Sequence, residues 1–493
     1  MDTRVADPHL PLYLQLAQHY RSAIRSGVLV AGARMPSVRS MMRLHRVSLS
    51  TALQACRSLE GEGLVEARAR SGYFVLKPRR GALPDACEPD LSRPLDAAQY
   101  VGIHDRVSTF VATSEAHAVP ADFAMACAAP EAYPVDELKN LALRALRRAP
   151  QVLVQTAPSA GDAALRQALA RRALDAGMQL GASDIVVTQG CIEALNIALR
   201  AVAQPGDTVA VESPTYYGLL QVLESLGLRA LEIPTSPRSG LSIEALELAL
   251  RTQPGIKAVA VVPNFQNPLA SVMPDERKQR LVALCESAGV ALIEDDTYGA
   301  LADDNATLSS LKTWDGSGNV IHCASLRKTL APGMRVGWIA GGRWHARIRM
   351  LKFAQSRAND ALAQRTVAEF VATSAYDRHL VRLRRTLRTQ REQTAEAIAA
   401  HFPAGTRSSV PAGSMMLWVE LPLAVSSHGL FDTALAQGIR FAPGTLFSNS
   451  DRFDHFMRIG CGLPFTREHA LALRRLGDLV SRAAERSYGG IAA

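Results

Sequence analysis

The chain has 493 residues, 48% hydrophobic, 20% charged and 5% aromatic, which excludes a disordered or fibrous polymer and leaves room for two or three domains with cores. No apolar run approaches the ~18 residues of a membrane span, and residues 1–10 lack the apolar core of a signal peptide. Seven scattered cysteines without a CxxC pair point to neither a disulfide scaffold nor a metal site, so a reduced cytoplasm is the expected compartment. Of the net charge of +9, residues 1–80 carry +8. That imbalance fits a basic nucleic-acid-binding module joined to a nearly neutral body. With 48 Arg against 7 Lys, an arginine-rich solvated surface explains the charge equally well.

From Pro11, the residues Leu12, Leu16, Tyr20 and Ile24 recur at helical spacing, and Gly27 ends the run. A second helix is expected from Pro36-Ser37 through SVRSMMRLH. A third is expected from Ser48 as N-cap, with Ala52, Cys56 and Leu59 on one face. Two short strands follow, in LVEAR and SGYFVL, joined by a basic turn. This is the order of a winged helix-turn-helix; a trihelical protein-interaction module is the alternative. Ser48, Ser50, Thr51 and Gln54 stand near the start of the third helix, where hydroxyls and amides reach base edges in a major groove. Arg34, Arg39 and Arg43 suit phosphates, and Arg68 and Arg70 fall at the wing tip, where Gly72 permits the turn.

Residues 78–118 hold four prolines and no sustained apolar period, and 79–118 read as a linker. Residues 119–379 alternate short Val/Ile-rich runs with helical runs: DIVVTQG, TVAVESP, KAVAVVPN, VALIEDD, NVIHCAS and VGWIAG. They predict an α/β large domain on a doubly wound, mainly parallel sheet. Residues 380–493 read as a smaller α+β unit, opening with a long charged helix. Ligands of such sheets gather at the carboxyl ends of strands. There the sequence places Gly190 before a helix, Asn267, Asp295, Ser325, Lys328 and Arg335. An anion cradle, an acid, an amide and a lysine together suit pyridoxal phosphate, which needs a lysine amine, a carboxylate against its ring nitrogen and a dianion site. Taken singly, each residue has a plainer explanation: a surface lysine, a capping acid, a turn asparagine, core tyrosines.

MPSVRSMMRLHRVSLSTALQACRSLEGEGLVEARARSGYFV resembles the GntR-type DNA-binding domain over residues 10–78. The resemblance implies DNA contacts by Arg34, Ser37, Arg39, Ser48, Ser50, Thr51 and Gly72, to which the wing-tip position adds Arg68. Leu49 departs from an arginine usual in that family. Residues 120–485 resemble a fold-type I aminotransferase through PNFQNPLA, IEDDTYG and SLRKTLAPGMRVGW. This implies Lys328 as the Schiff-base lysine, Asp295 as the ring-nitrogen partner, and Tyr298 and Asn267 at the phenolic oxygen. It further implies Tyr216 on the ring, and Gly190, Cys191, Ile192, Ser325 and Arg335 at the phosphate. Arg458 would take the carboxylate of an amino acid or similar effector.

The fusion is similar to the MocR subgroup of GntR-family transcription regulators, in particular its YdcR-like branch. The resemblance implies a head-to-tail homodimer, double-stranded operator DNA and a small amine, amino acid or cofactor-related effector as partners, and a cytoplasmic, nucleoid-associated location without membrane contact. Arg327 before the lysine replaces a usual serine, Cys191 a frequent serine and Ala270 a glycine. Gln155 and Thr156 stand where active enzymes commonly present a tyrosine to the partner's phosphate. A regulator that senses through pyridoxal phosphate is therefore expected. A working aminotransferase with a DNA-binding head, or a cofactor-free scaffold, are the alternatives.

Overall fold

The computed structural model describes residues 11–25, 28–29, 32–61, 64–68, 72–75, 83–92, 94–423 and 425–489. They form two units, residues 1–82 and 83–493.

The small unit packs helices Leu12–Arg25, Val38–His45 and Leu49–Gly61 with an antiparallel hairpin, Val65–Arg68 against Gly72–Val75. Its core joins Leu16, Tyr20 and Ile24 to Met41, Ala52, Cys56 and Leu59 from the other helices, and to Val65 and Val75 from the hairpin. The expected apolar stripe begins one turn late, since Leu12 stays 62% exposed. Serine caps set the helix starts: Ser37 Oγ accepts from Ser40 N–H at 3.2 Å, and Ser48 Oγ from Thr51 N–H at 3.2 Å. Arg46, at φ 53°, closes the second helix with its N–H on the Met42 carbonyl. Residues 32–35 add a third edge to the hairpin, with Met35 N–H on Tyr73 O at 2.8 Å and Val75 N–H on Ala33 O at 2.9 Å.

The large unit is built on seven core strands: β1 Ile185–Thr188, β2 Thr208–Ser213, β3 Arg229–Ser236, β4 Ile256–Val261, β5 Ala291–Asp295, β6 Val320–Ser325 and β7 Gly337–Ala340. Their order is β3-β2-β4-β5-β6-β7-β1, parallel except for β7, which is antiparallel to both neighbours. Strands β1, β2, β5 and β6 are buried along their whole length. That is why they read as unbroken Val/Ile runs rather than alternating ones. One face packs on helix Cys191–Val202; the other carries helices Ala163–Asp175 and Ala361–Val371. The C-terminal part adds a four-stranded antiparallel sheet with helices Ser374–His401 and Arg467–Gly489 against it. Helix Ser374–His401 starts ahead of the boundary expected at 380.

Residues 83–118 are not a free linker. They belong to the large unit, with Gln99–Tyr100 added antiparallel to β3 and a helix at His104–Ala116. Their backbone amides are held by distant side chains. Ala86 N–H donates to Ser409 Oγ at 3.3 Å and Cys87 N–H to Glu420 Oε2 at 2.9 Å. Gly102 N–H donates to Asn449 Oδ1 at 2.9 Å, and Ile103 and His104 N–H both donate to Glu224 Oε2. Proline-rich composition hid a strap whose backbone amides reach distant side chains.

Candidate cofactor site and candidate nucleic-acid face

Strands β1, β5 and β6 end around one cavity of about 520 Å3. It is lined by Lys328, Asp295, Tyr298, Asn267, Tyr216, Ser325, Arg335, Cys191, Ile192 and Arg458, with Arg327 beside the lysine. Gly190 is the residue before helix Cys191–Val202, whose N-terminus opens there. Its φ of 81° suits glycine, and a Cβ on it would lie 3.4 Å from the Arg335 guanidinium. Arg335 donates to Gln189 O at 2.9 Å. A twelve-residue helix start with a guanidinium over its first turn is an anion cradle.

Asp295 ends β5 as a buried carboxylate. Cys191 Sγ, Thr297 N–H and Thr297 Oγ1 all donate to its Oδ1, at 3.2, 3.0 and 2.5 Å. Burial nevertheless raises its pKa against the downward pull of those donors and of His322, so the carboxylate stays short of a cation. A protonated ring nitrogen would supply that cation. Lys328 Nζ donates to Ala126 O at 2.6 Å and lies 3.4 Å from Cys127 Sγ. Burial lowers its pKa, Cys127 opposes this, and Arg327 and Arg458 reinforce it. A lysine held toward its neutral, nucleophilic form suits carbonyl chemistry. Tyr298 lies beneath it, with Nζ 5.6 Å from the ring centroid. The donor set and the cradle thus fit pyridoxal phosphate.

Asn267 sits on a loop fixed by Gln266. Gln266 Nε2 donates to Pro214 O at 2.7 Å, and its Oε1 accepts from Leu269 N–H at 2.9 Å. Asn267 Oδ1 accepts from Arg458 at 3.0 Å, and the second arm of Arg458 donates to Ala124 O at 2.6 Å. Arg458 is 2% exposed and its Nε has no partner.

Sequence reasoning passed over Cys127, Thr297, Tyr217 and helix His104–Ala116, whose Phe110, Val111 and Ser114 form part of the cavity wall. Burial acts to raise the Cys127 thiol, but Lys328 and Arg327 outweigh it and hold the thiol below its usual range. Arg327, the unexplained departure, therefore has the Cys127 sulfur as a neighbour. Thr297 was findable, standing two residues after the acid. Cys127 had no local signal.

The first acid of the EDD triplet is structural. Glu294 accepts from Ser310 Oγ at 2.5 Å, Leu311 N–H at 2.8 Å and the His322 ring at 3.2 Å. Burial disfavours both charges, and the pairing overcomes it: His322 is raised and Glu294 lowered. The His322 contribution is full below the ordinary imidazole value and is lost as pH rises through its raised one. That of Glu294 is full above the ordinary carboxylate value and is lost as pH falls through its lowered one. Glu294→Gln should therefore destabilise more at about pH 6 than at about pH 9. Equal losses in denaturant melts at the two pH values would refute the ion pair.

In the small unit Arg34, Ser37, Arg39, Ser48 and Ser50 are exposed, with Thr51 half-buried. Ser37 and Ser48 are spent partly on caps, and the Ser48 hydroxyl also meets those of Ser50 and Thr51 at 2.8 Å. Gly72 takes φ 96°, with the Arg34 guanidinium 3.6 Å from where its Cβ would be. Arg68 ends the first hairpin strand. Arg70 lies outside the described residues.

A winged helix-turn-helix unit and a body of aminotransferase fold with an enclosed lysine define a class: transcription regulators built on an aminotransferase frame. The description "Bacterial regulatory proteins, gntR family" matches residues 12–75, and "Aminotransferase class I and II" matches residues 131–471. The chain is 37% identical over 477 residues to the HTH-type transcriptional regulator YjiR of Escherichia coli, covering 96% of this chain and 99% of that one. It is 35% identical to YdcR of the same organism, covering 95% and 98%. The body shares its fold with LysN, the α-aminoadipate aminotransferase of Thermus thermophilus, at 27% identity and TM-score 0.71, covering 76% of this chain and 95% of that one. The chain belongs to the GntR-headed, aminotransferase class I and II family of MocR-type regulators. Among the described residues no helix is long and apolar enough to cross a membrane.

Proposed function

We propose that the protein is a DNA-binding transcription regulator that holds pyridoxal 5'-phosphate at Lys328 and responds to a small amine, amino acid or cofactor-related effector. The supporting observation is the convergence of Lys328, Asp295, Asn267, Tyr298, Ser325, Arg335 and Arg458 on one cavity. When bound, the cofactor supplies an electrophilic carbonyl for amines and an electron-withdrawing ring. Lys328 provides the attaching amine. Asp295, poised by Thr297 and Cys191, holds a proton at the ring nitrogen. Asn267 and Tyr298 fix the phenolic oxygen. Tyr216 supports the ring, and Gly190, Cys191, Ile192, Ser325 and Arg335 bind the phosphate. Arg458 orients an effector carboxylate.

An effector changes DNA occupancy only if it binds one arrangement of the body better than another. The strap supplies a route: residues 83–104 follow the head in sequence and are bonded to Ser409, Glu420 and Asn449 of the C-terminal part and to Glu224 of helix Tyr217–Ser225. The exposed pair Leu153 and Val154 (69% and 84%), next to Gln155 and Thr156, suits coverage by a second copy, in a head-to-tail homodimer acting on cytoplasmic DNA. A working aminotransferase is favoured by one observation, the joint presence of Lys328, Asp295 and Arg458. Sustained turnover with a keto acid would support it.

Footprinting on DNA upstream of the gene, with and without candidate amines, tests head and sensor together. Arg39→Ala should weaken specific and non-specific duplexes alike and lower the salt slope by about one. Unchanged binding would remove Arg39 from the DNA face.

A further inference from the structure

The first turn of helix Cys191–Val202, whose N–H groups form the anion cradle, also carries an acid, Glu193. Glu193 Oε2 accepts from Gln189 N–H at 2.6 Å. Gln189 O in turn accepts from Arg335 at 2.9 Å. One carboxylate thus ties down the turn that holds the guanidinium of the cradle. A negative charge in a first turn suits the helix dipole, but it opposes a second anion at the same end. Lys352 answers that charge from helix His345–Gln355. Its Nζ donates to Glu193 Oε2 at 2.9 Å, Ser356 Oγ at 2.8 Å and Asn359 Oδ1 at 2.7 Å, which uses all three of its donors. Ser356 Oγ donates to the other oxygen of Glu193. Lys352 is 1% exposed and Glu193 9%, and neither lines the cavity.

A buried ion pair adds little stability over apolar side chains of similar size, whereas removing one partner strands the other charge. Helix packing alone therefore does not call for this pair. We propose that Glu193 and Lys352 are positioning residues that set the affinity of the cradle for phosphate. Glu193 fixes the Gln189–Gly190 turn, and Lys352 cancels the charge that Glu193 would otherwise set against the incoming anion. The inference rests on the cofactor reading for what carries the phosphate, and on the cradle alone for the binding of an anion.

The probes are pyridoxamine 5'-phosphate, pyridoxamine and inorganic phosphate, none of which has an aldehyde to react with Lys328. Calorimetry on full-length protein without cofactor gives the phosphate preference, the ratio of the two pyridoxamine dissociation constants. Lys352→Met leaves a bare carboxylate under the cradle and should lower that preference at least about tenfold, with pyridoxamine itself unchanged. Glu193→Gln keeps an oxygen for Gln189 N–H and leaves the lysine charge, so its phosphate preference should be no lower than that of wild type. The double variant Lys352→Met/Glu193→Gln should bind the phosphate better than Lys352→Met does, although it has lost more of the network. Both single variants break the same pair and should melt lower, so a merely structural role would weaken phosphate binding in both and most of all in the double variant. That pattern, or equal weakening of pyridoxamine and its phosphate in Lys352→Met, overturns the proposal. If Lys352→Met does not fold, Glu193→Gln decides: any loss of phosphate preference there overturns it. Wild type that takes neither inorganic phosphate nor pyridoxamine 5'-phosphate also overturns it. If inorganic phosphate follows the expected order while neither pyridoxamine compound binds, the inference holds and the proposed function falls.

Discussion

Lys328→Ala should leave a folded protein that no longer retains pyridoxal phosphate covalently. The wild-type amine is tethered to Ala126 O at 2.6 Å and packed beside Cys127 and the Tyr298 ring. Burial holds it toward the neutral form needed to attack a carbonyl. Truncation removes a desolvated amine and leaves one carbonyl to find another donor, a cost of about 1 kcal/mol. It also removes the one amine in the cavity wall. Loaded wild type, reduced with borohydride, should gain the mass of one cofactor on the peptide containing Lys328; the variant should gain none. After dialysis its visible absorption should vanish, while the phosphate cradle at Gly190 and Arg335 still gives weak, reversible binding. Operator binding in the absence of effector should persist, and the response to amines should be lost. A variant that keeps its colour through dialysis would assign the attachment to another residue and sink the proposed site.

The strands carrying this site were legible because they are buried on both faces. IVVT, TVAVES and VIHCAS have no solvent side on which to alternate. Strand β3 was passed over because it alternates and contains Pro234. The reversed direction of β7 has no sequence signature, since GWIA would read the same either way. Candidate residues at strand ends were found because the chain must place them there once the strand is recognised. Cys127 and the wall from helix His104–Ala116 come from segments whose role exists only after the chain returns across the sheet. That helix buries Val107 and leaves Phe110 half-buried, too little for an apolar period. The strap before it satisfies its backbone on side chains 120 to 347 positions away, such as Glu224 and Asn449. No local reading of 83–103 contains that information.

The departures noted in the sequence also acquire locations. Cys191 donates its thiol to Asp295, as a serine hydroxyl would, so the replacement keeps the bond with a weaker donor. Ala270 takes φ 55°, a conformation that explains why glycine is usual there. Leu49 is 53% exposed at the start of the third helix. None of the three removes a group from the cofactor cavity.

Arg458→Ala should separate amino acids from amines as effectors. The guanidinium spends one arm on Asn267 and one on Ala124, and its Nε is buried without a partner. It lies 5.1 Å from the Phe447 ring centroid and 5.9 Å from that of Tyr217, in an enclosed setting where a charge is poorly screened. A ligand carboxylate would meet both the unmet donor capacity and the charge. Removing one partner of such a pair costs about 2–5 kcal/mol, which is on the order of 30-fold or more. Spectral titration of loaded protein should show that weakening for an amino acid and little change for the amine formed by removing its carboxylate. Arg458→Lys keeps the charge without the fork, and should fall between. The variant also strips donors from Asn267 Oδ1 and Ala124 O, so a lower melting temperature is expected as well. The melting shift is common to both ligands and the titration is not. If amino acid and amine weaken together, Arg458 is a strut between the Asn267 loop and the strand Phe456–Gly460, and the carboxylate is read elsewhere.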